Sequence, residues 1–330
     1  MFKSCGKRIV LSVDDLVNGN KIPRFIHTGD VYRETGTARN IQFMMDLADK
    51  VIVTQPFLLD QLAHYYEQPK SKFVLFPNLP PYNWLGRHFN PEAKAKKFWG
   101  RSGMLRIGVI SSMSHYELKE GEKTPDDLDV VVEAVGKLVE LKHTGLTWIL
   151  PVGKDNKIVS SRFPKGAKVE TTTTVPIRDY PNMIEKLDLD FVVVPLMEND
   201  FNNSKSNIKL IECAALGIPA IVSDTYPYDG FAEQGSTFKD ADELVKLIVE
   251  RIGWYEKKYL NAINTNYKRF FADKTDYYGI PLNGYWIENN YELVGDTFLG
   301  MEPKRDKNGL VPPDIKEENE NGKMEEEHKA

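Results

Sequence analysis

Short apolar segments alternate along the chain with segments whose apolar residues recur at helical spacing. Continuous apolar runs are typical of strands buried on both faces of a parallel sheet, with helices covering those faces. The pattern therefore predicts an α/β fold with doubly wound parallel sheets. Strands are predicted at residues 8–13, 51–54, 73–76, 105–110, 147–150, 190–195 and 220–223. Helices are predicted at 38–48, 56–66, 91–98, 125–141, 205–216, 241–255 and 256–271.

Proline-rich and polar stretches divide this pattern into ranges. A small Rossmann-like unit is predicted at 1–90, a linker at 91–103 and a larger α/β domain at 104–265. An aromatic-rich stretch follows at 277–298, within a last structured range at 266–301. The acidic tail at 302–330 has few apolar residues, which predicts disorder.

The stretch from 190 to 228 is chemically the most informative. A buried strand ends there in a polar segment, in which Asn202, Asn203 and Ser204 are N-cap candidates for the helix predicted at 205–216. Parallel sheets bind ligands at the carboxyl ends of their strands. The start of this helix is therefore a candidate binding site.

Two lysines and a glutamate follow that helix start. Lys205 and Lys209 beside unpaired backbone N–H groups suit a diphosphate, and Glu212 suits ribose hydroxyls. A helix terminus contributes about 0.3–1 kcal/mol for an anion, and a charge-assisted hydrogen bond about 1.5–3 kcal/mol. The lysines would therefore dominate the affinity. The alternative interpretation is a solvated helix face with an ion pair three residues apart.

A second polar loop follows the fourth predicted strand. It contains Ser111, Ser112 and His115, with Lys119 and Lys123 further along. A polar loop between a strand and a helix is a typical phosphate-facing element. The alternative is that the histidine is an ordinary surface residue and the lysines are solvated.

The order and spacing of short motifs, rather than composition, point to a family. The elements PL, FN, KS, IK, E, LGIP, SD and PY between 190 and 228 resemble the donor-site segment of GT-B glycosyltransferases. The resemblance is to the retaining, GT4-like kind found in surface-polysaccharide enzymes and phage-encoded sugar transferases. The segments GKRIVLSVDDL, LADKVIVTQPFL and FVLFPNLPPYNW resemble the later half of the family's N-terminal domain.

The resemblance implies a nucleotide-sugar-binding domain at 104–265 and C-terminal crossover helices at 266–301 that pack on the first domain. It leaves the N-terminal unit at 1–90 with fewer strands than the family has. The expectation is a shortened acceptor domain, a partner chain that supplies strands, or loss of catalysis.

The resemblance also implies roles for individual residues. Glu212 matches the ribose-binding glutamate, while Ser204 stands where the family has a second glutamate, whose role Glu198 or Asn202 would partly take. The expected catalytic residues are Lys205, Lys209 and His115. The expected donor-binding residues are Ser111, Ser112, Lys123, Asn202, Ser206, Glu212 and Tyr228. Asp14 and Asp15 are acceptor-side candidates, or else they cap the following turn.

The expected reaction is sugar transfer from a UDP- or GDP-sugar to an acceptor hydroxyl, with retention and without a metal or cofactor. The acceptor is a glycan, with a modified DNA base as the less favoured choice. A non-catalytic or split-enzyme subunit is the main alternative, and an epimerase or phosphorylase is another.

Composition narrows the setting. The formal charge of −5 over 330 residues disfavours a dominant nucleic-acid-binding surface. Cys5 and Cys213 are the only cysteines, and their spacing suits neither a disulfide framework nor a metal site. No apolar run approaches the length of a membrane span. The sequence therefore predicts a cytoplasmic protein. Peripheral association with a membrane is compatible with this prediction.

Overall fold

The computed structural model contains two parallel sheets covered by helices. It describes residues 8–26, 29–76, 78, 90–111, 115–116, 125–154, 156–233, 235–270, 305–306 and 309–310. Within these residues, no helix is both long enough and apolar enough to cross a bilayer.

The first sheet has three parallel strands in the order β1-β2-β3. They are β1 at Val10–Val13, β2 at Lys50–Val53 and β3 at Phe73–Leu75. The helices of this unit are α1 at Gly29–Arg33, α2 at Thr35–Leu47 and α3 at Pro56–Tyr65. Pro56 occupies the first turn of α3, and the Gln55 side chain accepts a hydrogen bond from Phe57 N at 2.8 Å. Strand and helix are thus joined by a local cap.

The second sheet has six parallel strands in the order β6-β5-β4-β7-β8-β9. They are β4 at Arg106–Val109, β5 at Thr147–Leu150, β6 at Lys168–Thr171, β7 at Phe191–Val194, β8 at Ala220–Ser223 and β9 at Thr237–Phe238. The strand order reverses between β4 and β7. In an open α/β sheet this reversal opens a crevice at the carboxyl ends of the two strands.

Helices cover both faces of this sheet. They are α4 at Pro91–Gly100, α5 at Asp129–Glu140, α6 at Lys157–Ser160, α7 at Tyr180–Leu187, α8 at Asp200–Asn203, α9 at Ile208–Ala215, α10 at Ala241–Ile252 and α11 at Glu256–Phe270. Successive side chains of β7 point to opposite faces, so Phe191 and Val193 belong to one core and Val192 and Val194 to the other. This explains the continuous apolar run.

All seven predicted strands are present, within two residues at each end. In the two parallel sheets, two further strands, β6 and β9, were missed. The four residues of β6 are only half-buried or exposed, because the strand lies at the sheet edge, and β9 has two residues. Neither presents the apolar run on which the prediction depends.

The helix predicted at 205–216 is wrong at its start. α9 begins at Ile208, and a separate short helix, α8, precedes it. The cap of α8 is Asn199, whose side chain accepts from Asn202 N at 2.9 Å. Ser204 Oγ donates to Asp200 O at 2.7 Å and closes α8. The N-cap candidates at 202–204 therefore lie inside or at the end of α8, and Lys205 lies between two helices.

The segment predicted as a linker contributes to the second core. In α4, Ala95 and Phe98 are buried, and the Phe98 ring stacks on Tyr259 of α11 with centroids 4.2 Å apart. Helix α11 runs through the boundary predicted at 265/266.

Most of the C-terminal predictions lie outside the described residues, including the aromatic-rich stretch at 277–298. In the predicted tail, Arg305–Asp306 (β10) pairs antiparallel with Gly309–Leu310 (β11). The rest of the tail lies outside the described residues, and its disorder stays a prediction.

Candidate functional site

A cavity of about 250 Å³ lies between the carboxyl ends of the two sheets. Its walls bring together eight of the residues predicted for the site: Asp14, Asp15, Ser111, His115, Lys205, Ser206, Lys209 and Tyr228. The cavity is therefore the candidate site, and both sheets contribute to it.

Topology explains this convergence. Asp14 and Asp15 follow β1, Ser111 and His115 follow β4, and the segment with Lys205 follows β7. Because β4 and β7 flank the strand-order reversal, their following loops line the same crevice.

Lys205 is held at the cavity wall by both units. Its Nζ lies 3.3 Å from Asp15 Oδ1 and 4.3 Å from the centroid of the Phe201 ring. Phe201 is buried in the core of the first unit, although it belongs to α8. An aromatic face attracts a cation, so the ring and the carboxylate together position this ammonium group.

The segment around Lys205 is also tied to the first sheet through hydrogen bonds. Gln55 Nε2 donates to Asn203 O at 2.7 Å and to Lys205 O at 3.3 Å. Asn78 Nδ2 donates to Ser206 Oγ at 2.7 Å. Sequence reasoning missed Gln55 and Asn78. Both follow strands of the first sheet, and that position was the available signal.

Lys209 and Glu212 form the ion pair of the alternative interpretation, but the pair is mostly buried rather than solvated. Their Nζ and Oε2 atoms are 2.7 Å apart, with side chains 28% and 12% exposed. Burial alone would lower the pKa of Lys209, but the Glu212 carboxylate and the Tyr180 hydroxyl, 3.3 Å away, raise it overall. Burial raises the pKa of Glu212 against the opposing effect of Lys209.

Glu212 does not line the large cavity. With Tyr180 and Cys213 it lines an adjoining space of about 10 Å³, enough for about one water molecule. Lys209 lines both spaces, whereas Glu212 lines only the small one. Contact between Glu212 and a ligand in the large cavity would therefore require the two spaces to open into each other.

His115 is paired with a carboxylate that the sequence analysis missed. His115 Nδ1 lies 2.6 Å from Asp127 Oδ2, and both side chains are buried. Asp127 Oδ1 accepts from Met197 N at 2.6 Å and from Asn202 Nδ2 at 2.9 Å. The sequence signal was a pair of aspartates, Asp126 and Asp127, in the first turn of the helix predicted at 125–141, where acidic residues are common for helix stability alone.

Asn202 was predicted to contact the donor, but the structure places it outside the cavity lining. It is fully buried, donates to Asp127 Oδ1 and to Met197 O, and does not line the cavity. Ser112 and Lys123 lie outside the described residues, as does Lys119.

Charge is balanced among the described residues that line the cavity. Two lysines face two aspartates there, and Lys205 is already paired with Asp15. An anionic ligand would therefore compete with Asp15 for Lys205. Among the described residues, no group of three or more His, Cys, Asp or Glu side chains is arranged to hold a metal ion.

Comparisons with known proteins identify the fold. No family model matches the sequence, and no curated protein matches it. The structure is similar to that of Anabaena Alr3699/HepE in complex with UDP and glucose, with a TM-score of 0.51 and 11% identity over 81% of this chain and 67% of that one. The HepE complex with UDP has a TM-score of 0.50 at 12% identity, covering 81% and 68%.

A glycosyltransferase from Rickettsia africae is more distant, with a TM-score of 0.44 and 12% identity over 78% of this chain and 66% of that chain. At such identities the likeness to HepE shows the fold alone. The fold is the α/β class of GT-B glycosyltransferases, with parallel sheets and covering helices. The chain spans about two thirds of the length of the HepE chain.

Proposed function

We propose that this protein is a glycosyltransferase that binds a nucleotide sugar in the cavity and moves the sugar to an acceptor hydroxyl. The observation that carries the proposal is the convergence of Lys205, Lys209 and His115 with Asp14 and Asp15 across one cavity. Cationic groups suit a departing diphosphate, and carboxylates suit hydroxyl groups.

On the donor side, Lys205 and Lys209 stabilise the negative charge that develops on the departing diphosphate. Ser111, Ser206 and Tyr228 line the cavity and supply hydroxyl groups to the donor. Glu212 takes the ribose once Lys209 has turned to the diphosphate. Ser112 and Lys123 belong to the same proposal through their place in the sequence.

On the acceptor side, Asp14 and Asp15 accept hydrogen bonds from the incoming hydroxyl. A glycan is the favoured acceptor, and a modified DNA base is less favoured because the chain is acidic. Retention, independence from metal ions, the GT4-like subtype, a cytoplasmic location and a role in surface-glycan or phage modification are further parts of the proposal. The location rests on the composition of the sequence, and the other parts rest on its motifs.

The test is a donor panel measured by calorimetry and by product analysis. UDP-glucose and UDP-N-acetylglucosamine are offered first, because the similar HepE structures contain UDP. GDP-mannose is included because the sequence leaves a GDP-sugar open as the donor. Binding followed by slow hydrolysis that EDTA leaves unchanged is the expected result. Failure to bind any nucleotide or nucleotide sugar would refute the proposal, and epimerised product would replace transfer with epimerisation.

A non-catalytic or split-enzyme subunit is the second candidate. Within the described residues, β1 pairs only with β2, and Val10 on β1 is 38% exposed. An unpaired strand edge is a site at which a partner chain can add strands. Donor binding without turnover, with turnover restored by a neighbouring gene product, would favour this candidate.

A further inference from the structure

Asp127 lies just before α5 and connects three parts of the site. Its side chain is fully buried, and its two carboxylate oxygens serve different segments. Oδ2 contacts the His115 ring of the loop after β4 at 2.6 Å. Oδ1 accepts from Met197 N, after β7, at 2.6 Å and from Asn202 Nδ2, in α8, at 2.9 Å. Asp127 is therefore held rigidly on the side away from the histidine.

This arrangement determines which ring nitrogen serves the cavity. An ionised carboxylate only accepts hydrogen bonds, so His115 Nδ1 must be the donor. The ring lines the cavity, whereas Asp127 does not. Nε2 is therefore the ring nitrogen left for a ligand. In the neutral ring the carboxylate keeps the proton on Nδ1, so Nε2 carries none.

We propose that Asp127 is a positioning residue that fixes His115 with Nε2 toward the cavity, where the ring binds a diphosphate as an imidazolium. The binding step rests on the proposed function, because it requires a nucleotide in the cavity.

The physical reason is charge. A ring that lies between the buried carboxylate and a bound diphosphate has an anion on each side, and both favour its protonated form. The other titratable groups facing the same cavity are Asp14, Asp15, Lys205, Lys209 and Tyr228. The two lysines oppose protonation of the ring and the two aspartates favour it, so these pairs largely offset each other. Diphosphate binding should therefore be coupled to proton uptake by His115.

The positioning step is tested without any ligand, by nitrogen NMR of the histidine rings in the full chain. At high pH the neutral His115 ring is expected to carry its proton on Nδ1. In Asp127→Asn the amide oxygen keeps the acceptor for Met197 N, while the amide NH₂ now faces the ring. The proton should therefore move to Nε2. A wild-type ring protonated on Nε2, or the same tautomer in both proteins, would overturn the assignment.

The binding step is tested by calorimetry with UDP in buffers of different ionisation enthalpy, at a pH at which the nitrogen NMR shows the free His115 ring to be neutral. Wild type is expected to take up as much as about one proton per UDP. His115→Gln should abolish the uptake, and Asp127→Asn should reduce it. Both should weaken UDP binding about tenfold or more, as for loss of a charge-assisted hydrogen bond.

Two controls separate positioning from damage to the fold. Uridine lacks phosphates and should bind both variants as it binds wild type. His64 is exposed on α3, so His64→Gln should leave the proton uptake unchanged. UDP binding with uptake that persists in His115→Gln would overturn the inference. Absence of UDP binding in wild type, together with the expected tautomer, would refute the proposed function and the phosphate contact while leaving the positioning role supported.

Discussion

Replacing Lys209 by methionine should damage stability and donor binding for two separable reasons. Lys209 pairs with Glu212 at 2.7 Å, and both side chains are mostly buried. Lys209→Met leaves the glutamate carboxylate buried without its cation. Breaking a buried pair from one side costs about 3–5 kcal/mol, and the partial exposure of this pair argues for about 3 kcal/mol. For a domain of this size that corresponds to a fall in Tm of about 6–12 °C.

Adding Glu212→Gln separates the loss of stability from the loss of donor binding. In Lys209→Met/Glu212→Gln the orphaned charge is gone, so stability should return to within about 1 kcal/mol of wild type. If Lys209 binds the diphosphate, UDP affinity should remain about 10- to 100-fold lower in both variants. Glu212→Gln alone keeps the lysine, so it should bind UDP far better than the double variant.

The assays are thermal unfolding and calorimetry with UDP on the same four proteins. Recovery of UDP affinity in the double variant would refute the diphosphate role, because the binding loss would then follow stability. An unchanged Tm in Lys209→Met would refute the buried ion pair. A single Lys209→Ala substitution, in contrast, mixes the two effects and decides neither.

Three further predictions follow from single contacts. Asp15 competes with an anion for Lys205, and a partly exposed pair is worth about 0–1 kcal/mol, so Asp15→Asn should tighten UDP binding by up to about fivefold in calorimetry. Weaker binding would contradict this. Phe201→Ala should cost about 3–5 kcal/mol in denaturant unfolding, whereas Phe43→Ala, at a ring 64% exposed, should cost less than about 0.5 kcal/mol. Equal losses would contradict the packing of α8 in the first core. Burial raises the pKa of Asp190 to about 6, so the folded protein binds this proton more tightly than the unfolded chain. The stability of wild type relative to Asp190→Asn should therefore fall as pH rises from about 4 to 6 and then level off, and a rise over that range would contradict it.

The buried strands were predictable because each carries its own signal. All four residues of β7 are apolar, as are the first three of β8, and helices cover both faces of these strands. The edge strand β6 lacks that signal, because solvent covers much of its surface and its sequence alternates lysine and glutamate with valine and threonine. Local pattern and tertiary burial coincide in the middle of a sheet and diverge at its edge.

The start of α9 shows a different limit. Asn202, Asn203 and Ser204 are all good caps by local preference. Their side chains instead hydrogen-bond to other partners. Asn202 donates to Asp127, which is distant in sequence, while Asn203 donates to Glu198 and Ser204 to Asp200 O, both a few residues upstream. The capping preferences of neighbouring polar residues are too similar to show which of them caps a helix. Contacts in the folded protein decide where each helix starts.

The chain's own order of apolar and polar residues determined the α/β class, the positions of the buried strands and the two lysines of the candidate site. Those properties depend on residues close together in sequence. Only the tertiary structure decided that Lys205 meets Asp15, that Glu212 pairs with Lys209 in a space adjoining the cavity, and that Asp127 contacts His115. Lys205 and Asp15 belong to loops that follow strands of different sheets, and His115 and Asp127 are 12 residues apart in the chain. A one-dimensional pattern does not contain such distances.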